Sequence, residues 1–359
     1  ASIPGVISHV FMEETGKAGF QVIGETDGEN KKQQAIGICG TGMIDLVYEL
    51  RAHQMIDEHG KYSDLYFDTG YELAEKVKFT QNDIRELQMA KAAIEMALWD
   101  LYAKVQEKSL SYFLPPTLST APVGISLGIQ SSPQSLLAKV DQAVFQGYQR
   151  LKVKIAPDKD YDYLAPIRQK YPNLCLMADA NACYTLAQTA TIKRLDELDL
   201  AMIEQPLRVS DFVEHAKLQA QLSTPICLDE NICQMDDLKT MTALHSGQVI
   251  NLKLPRVGGL IPALEMLEYS KAHQVKAWIG GMYEAGIARA FHLHVASIKG
   301  LDFPADLSAT AHYFEQDIIS QTFVVENGGI RVPEGLGIGV DIDEQALAKF
   351  TLNKFSQKI

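Results

Sequence analysis

The chain has 359 residues, 47% hydrophobic and 22% charged, a balance with ample core-forming material that excludes disorder as the main state. With 33 Lys and Arg against 45 Asp and Glu the formal net charge is -12, and no basic cluster stands out, so a nucleic-acid footprint is not expected. Apolar runs break well before the roughly 18 residues of a membrane span, the start through Phe11 carries no basic leader, and five cysteines (Cys39, Cys175, Cys183, Cys227, Cys233) show no C-x-x-C pair. The expectation is a cytoplasmic protein with no membrane partner, no disulfide framework and no zinc–thiolate cluster.

In chain order, the first 45 residues offer only short β-like pieces, around Gln21 to Ile23 and Ala35 to Ile38. Asp83 to Lys108 reads as one amphipathic helix, with Ile84, Leu87, Ile94, Leu98, Leu101 and Val105 at helical spacing. Pro115-Pro116 marks a boundary. From about residue 119 apolar runs alternate with helical segments, the mark of βα units. The runs are Ala121 to Ile129, Leu151 to Ile155, Leu174 to Ala180, Leu200 to Ile203, Ile226 to Leu228, Val249 to Leu254, Val275 to Gly280 and a weaker one at Leu301 to Leu307. Helices are expected at Pro133 to Phe145, Leu186 to Leu198, Phe212 to Leu222 and Ile261 to His273, with starts signalled by Ser132-Pro133 and Asp236-Asp237.

Eight strands in this span suit a closed barrel better than an open sheet, which would advertise a G-x-G-x-x-G turn that is absent. Thr322 to Val325 and Gly329 to Val332 then read as a hairpin around Asn327-Gly328-Gly329. The expected fold class is α/β, a (β/α)8-type barrel with an atypical last helix and an α+β capping domain formed from both ends. Its parts are residues 1–117, 118–320 and 321–359.

In a barrel the C-terminal strand ends carry the active site. The second strand, Leu151-Lys152-Val153-Lys154-Ile155, puts two lysines on one face; alone, they read most simply as an outward, solvated pair. The third, fourth and fifth strands end in Asp179, Glu204 and Asp229, each 25 residues from the last. Three acids on adjacent strands at one repeat length should converge, and convergent carboxylates call for a hard cation with oxygen ligands, Mg²⁺ or Mn²⁺ in its place. Lys253 follows one unit on, placing lysines on both sides of the cation. Such a site suits proton removal from carbon beside a carboxylate, with a lysine as base. The base must then be lowered below the usual lysine range, and Lys152 and the metal would supply that push.

Together these residues resemble the enolase superfamily, in its muconate-lactonising branch, a match spanning about residues 85 to 345 and including Ala93 to Lys104. Gly280-Gly281-Met282-Tyr283-Glu284-Ala285-Gly286-Ile287, Phe303 to Ser308, Tyr313 to Asp317 and Val123 to Ile129 are similar to the group of o-succinylbenzoate synthases and N-acylamino acid racemases. The resemblance implies Mg²⁺-dependent dehydration of a hydroxycyclohexadiene carboxylate in menaquinone biosynthesis, a small carboxylate being the partner. It also implies that Asp179, Glu204 and Asp229 bind the metal, that Lys154 abstracts the proton and that Lys253 holds the enediolate from the other face. Lys152 would support the substrate carboxylate, and Ser126, Asn181, Met282 and Tyr283 would line the pocket.

Two departures stand out: Ala285 replaces a common Ser or Thr, and the family's N-terminal strand and closing loops are not recognisable in residues 1–45. Racemisation of N-succinylamino acids, using the same lysines, stays open beside dehydration. A catalytically silent metal-binding scaffold is the alternative of another class. His292 and His294, two apart on an expected helix, read as structural, as Trp99 and Trp278 read as core. A homo-oligomer is left open.

Overall fold

The computed structural model describes residues 6–12, 18–22, 37–38, 40–56, 62–63, 69–74 and 77–351. The chain divides into two compact units between Ala90 and Lys91. In the first, strands β1 (Val6–Met12), β2 (Ala18–Val22) and β3 (Gly37–Ile38) form a sheet in the order β2-β1-β3. Helix Gly40–Ala52 follows, then the antiparallel pair β4 (Tyr71–Ala74) and β5 (Val77–Phe79). Of the two β-like pieces expected here, Gln21 and Val22 lie in β2 and Gly37 and Ile38 form β3; Ile23, Ala35 and Ile36 lie outside the described residues.

The helix expected at Asp83 to Lys108 runs Gln81–Val105. Its stripe is not a buried one throughout: Ile94, Leu98, Leu101 and Val105 are all exposed, while Ala92 and Ala103 are buried. Met96 and Trp99 of the same helix pack against the core of the second unit.

The second unit is built on seven parallel strands in sequential order: β7 (Ile125–Leu127), β8 (Arg150–Lys154), β9 (Cys175–Asp179), β10 (Met202–Glu204), β11 (Ile226–Leu228), β12 (Val249–Leu252) and β13 (Lys276–Ile279). Strand alternation sorts their side chains into two cores. Leu151, Val153, Leu176, Ala178, Ile203, Ile250 and Ile279 face the covering helices. Met177, Met202, Cys227, Val249 and Trp278 fill the interior of the sheet's curl. The helices begin where their caps dictate: Ser132 and Ser135 exchange capping hydrogen bonds ahead of Pro133–Phe145, and Asp236 and Asp237 occupy the first turn of Met235–Leu244.

The expected eighth strand is not one. Residues 302–306 take its place with the single bridge Val123↔Ala305. On one side Asp302 and Asp306 N–H groups donate to the carbonyls of Ala277 (3.1 Å) and Ile279 (2.9 Å). On the other, Ala305 N–H donates to Pro122 (2.9 Å) and Gly124 N–H to Ala305 (2.8 Å). The segment closes the ring without a ladder because Pro304, at its middle, has no N–H to give.

The expected hairpin is also revised. Asn327 and Gly328 do form a turn with positive φ, but β14 (Gly329–Arg331) pairs antiparallel with β6 (Thr120–Pro122). Residues 322–325 form no strand: Phe323 instead exchanges hydrogen bonds with Thr310. The C-terminal residues through Leu352 belong to the second unit.

Candidate active site

The register of the parallel ladder brings the expected acids and lysines together. β8 pairs with β9 so that Lys154 stands opposite Asp179, and β9 pairs with β10 so that Asp179 stands opposite Glu204. Lys152 points into the curl, 3% exposed, and the outward, solvated alternative for it does not hold. Its ammonium lies 3.3 Å from Asp179 Oδ2, 3.0 Å from Glu204 Oε2 and 3.1 Å from Asp306 Oδ2, and 5.2 Å from the centre of the Trp278 ring, a buried cation–π contact. Lys154 Nζ donates to Asp179 Oδ2 at 3.0 Å and to Asn181 Oδ1. Lys253, at the end of β12, donates to Asp229 Oδ2 at 2.8 Å.

Burial sets the electrostatics. Asp179, Glu204 and Asp229 are each at most 1% exposed. Desolvation, with Asp179 beside it, pushes the Glu204 carboxyl up to about 8. For Asp229 burial acts in the same direction, but Lys253 and Arg256 outweigh it and hold the group below the usual carboxylate range. Burial works against the charged Lys152, and Asp306, Glu204 and Asp179 override it and raise it well above the ordinary lysine value.

Four charged groups at this site are absent from the sequence-based expectation. Asp306, on the closing segment, accepts hydrogen bonds from Ser126 Oγ (2.7 and 2.9 Å) and pairs with Arg150 at 3.2 Å. Arg256 pairs with Asp229, and Glu230 accepts from Asn181 Nδ2 at 3.2 Å. Arg150 was within reach of a sequence reading, being one period-two step ahead of Lys152 on the same strand face. Asp306 lies in the weaker run, Leu301 to Leu307, where Pro304 interrupts the alternation, and Arg256 lies in the short helix after Lys253.

Ser126, Lys152, Lys154, Asp179, Lys253 and Asp306 border one cavity of about 350 Å³, with Met282, Tyr283 and Tyr313 on its wall. Asn181 does not line it; its side chain is taken up by Lys154 and Glu230. His292 and His294 sit in helix Gly286–Ala296, paired with Glu284 and with Ser111 and Ile338 respectively, away from the acids.

As placed, and among the described residues, no three His, Cys, Asp or Glu side chains form a metal-holding group, because Lys152, Lys154, Lys253 and Arg256 occupy the carboxylates. The donor set nevertheless fits a hard divalent cation: three carboxylates, each at most 1% exposed, on adjacent strands.

Residues 135–346 match the family described as Enolase C-terminal domain-like, and the chain belongs to that family. Residues 1–113 match a second family, described as the C-terminal domain of RACo, the ASKHA domain. Among characterised relatives, the o-succinylbenzoate synthase of Enterococcus faecalis is 51% identical over 263 residues, 73% of this chain and 72% of that protein. The N-succinylamino acid racemase of Thermus thermophilus is 42% identical over 264 residues, 74% of this chain and 72% of that protein. A crystal structure of an enolase superfamily member from Listeria innocua superposes with a TM-score of 0.74 at 36% identity, covering 96% of this chain and 89% of the other.

Proposed function

We propose that the protein is a Mg²⁺-dependent o-succinylbenzoate synthase, a hydro-lyase that converts 2-succinyl-6-hydroxy-2,4-cyclohexadiene-1-carboxylate to the aromatic product and water. The observation that carries the reading is the placement of Lys154 and Lys253, on strands separated by the three acid-bearing ones, on the wall of a single cavity. Asp179, Glu204 and Asp229 would hold Mg²⁺, or Mn²⁺ in its place. Bound there, the cation would offset the negative charge that grows on the substrate carboxylate as the neighbouring carbon loses its proton.

The rest of the chemistry falls to side chains. Lys154 Nζ takes the proton from the carbon beside the carboxylate, and the C–H pair moves into the carboxylate to give an enediolate. As the C–O bond of the ring hydroxyl breaks, Lys154 returns a proton to the departing oxygen. Water leaves and the ring becomes aromatic. Lys253 supplies a fixed positive charge on the opposite face, and Lys152, held cationic by its three acids, supports the substrate carboxylate. Ser126, Met282 and Tyr283 would line the succinyl side, and Asn181 would orient Lys154 rather than touch substrate.

The two lysines also favour a second reading. One on each side of an α-carbon could exchange the proton of either enantiomer of an N-succinylamino acid. Proton NMR in D₂O with Mg²⁺ separates the two. Formation of the aromatic product supports dehydration as the activity, α-deuteration with racemisation alone supports the racemase, and exchange with neither substrate overturns both.

A further inference from the structure

Tyr283 is 86% exposed and Met282 41% exposed, so their own burial does little to fix this part of the cavity wall. The residue after them behaves differently. Glu284 is 7% exposed and its carboxylate is turned away from the cavity. Its Oε1 accepts the Met282 N–H at 3.2 Å, folding the segment back on itself, and its Oε2 lies 2.8 Å from Nδ1 of His292. His292 is fully buried in helix Gly286–Ala296, and its Nε2 has no hydrogen-bond partner among the described residues.

The same helix reaches the opposite wall segment. Arg289 Nη2 donates to the Glu284 carbonyl at 3.2 Å, and its guanidinium lies 5.9 Å from the centre of the Tyr313 ring. Tyr313 meets Tyr283 edge to face at 5.1 Å. At the helix start, Gly286 N–H donates to Asp317 Oδ1 at 2.8 Å. Glu284, Arg289 and His292 do not themselves border the cavity.

We propose that His292 is a positioning residue: through Glu284 it fixes the segment that presents Met282 and Tyr283 to the substrate, and so governs how tightly the part of the substrate remote from the reacting carbon is held. The inference rests on the cavity being the substrate site. A buried carboxylate with a hydrogen-bonded partner has one orientation, and deprived of that partner it turns to water, taking the Met282 amide with it. Lys154 and Lys253 are carried on other strands and do not move with it, so binding changes and the chemical step does not.

The test compares His292→Leu, which removes the ring nitrogen, with His292→Asn, whose amide nitrogen can occupy the place of Nδ1. KM is expected to rise about tenfold in His292→Leu, the worth of one hydrogen bond to a charged group, with kcat within about threefold, and to return close to the starting value in His292→Asn. Amide hydrogen exchange of a peptide covering residues 281–285 should quicken in His292→Leu and recover in His292→Asn, while exchange in β8 to β12 stays unchanged. If His292→Leu does not fold, His292→Met takes its place. A variant with lowered melting temperature but unchanged KM and unchanged exchange at 281–285 overturns the proposal, as does an Asn variant no better than Leu. If the unaltered protein turns over neither substrate, the functional reading fails, and the exchange comparison still decides whether His292 holds the segment.

Discussion

Asp306 and Lys152 meet at 3.1 Å across the point where the barrel closes. The acid comes from the segment that replaces an eighth strand, the ammonium from β8, with side chains 11% and 4% exposed. Arg150 also pairs with Asp306, at 3.2 Å, so one carboxylate offsets two buried cations, while Lys152 in turn offsets Asp179 and Glu204. Among the described residues Asp306 is the one carboxylate paired with Arg150, so its removal leaves that buried cation uncompensated.

Asp306→Asn should therefore cost about 3–5 kcal/mol of stability near neutral pH, the usual consequence of removing one partner of a buried pair. The pH dependence has a definite sign. Burial would raise Asp306, but Lys152 and Arg150 outweigh it and hold the carboxyl below its ordinary range. Its stabilising contribution is then complete above the unfolded value of about 3.9 and is lost as pH falls through the folded value. Denaturant unfolding of both proteins should show a full gap at pH 6 that narrows below about pH 4; a gap that widens in acid would refute the assignment.

Lys154→Ala should lower turnover by about 10²–10⁴-fold, the scale of a lost general acid or base, and Lys253→Ala by about 10²–10³-fold, the scale of a lost electrostatic stabiliser. Melting temperature should change little for Lys154, whose side chain is 37% exposed. Activity within a few-fold of the unaltered protein in either variant would remove that lysine from the mechanism.

EDTA should abolish turnover, and Mg²⁺ should restore it. Mg²⁺ should also raise the melting temperature of chelated protein, because a cation that binds only the folded chain stabilises it by mass action. Chelator-insensitive catalysis would remove the metal from Asp179, Glu204 and Asp229.

Gly281 tests the closing segment from its other side. A Cβ at this position would run into the backbone carbonyl of Asp306, and a backbone atom cannot swing aside as a side-chain tip can. Gly281→Ala should destabilise the protein by about 1–3 kcal/mol, the usual cost of overpacking, and lower activity by displacing Asp306 from Lys152. Unchanged melting and unchanged kinetics would mean that the segment yields freely.

The parts of the site legible in the sequence are those that strand periodicity governs. Lys152 and Lys154 share a face because they are two apart, and the acids fall one per repeat because each βα unit has nearly the same length. Asp306 was hidden by Pro304, which erases the alternation around it. Arg256 was hidden because its segment turns helical as soon as β12 ends. The exposed stripe of Ile94, Leu98, Leu101 and Val105 shows the limit of periodicity: it identifies a helix without saying which face finds a partner. The first 45 residues resisted reading for another reason. The curated relatives cover about three quarters of the chain, and residues 1–113 match a second family, so the enolase pattern has little signal to offer there.

Closure by residues 302–306 gives the barrel a clasp in place of one of its staves. Elsewhere around the ring neighbouring strands are laced together residue by residue; at the clasp a few main-chain hydrogen bonds and one carboxylate do the joining. A barrel made this way has a preferred line along which to part, and that line passes through the wall of the cavity. Whatever occupies the cavity and draws on Lys152 also bears on the clasp, so the join that closes the ring and the place where substrate would sit are the same piece of chain.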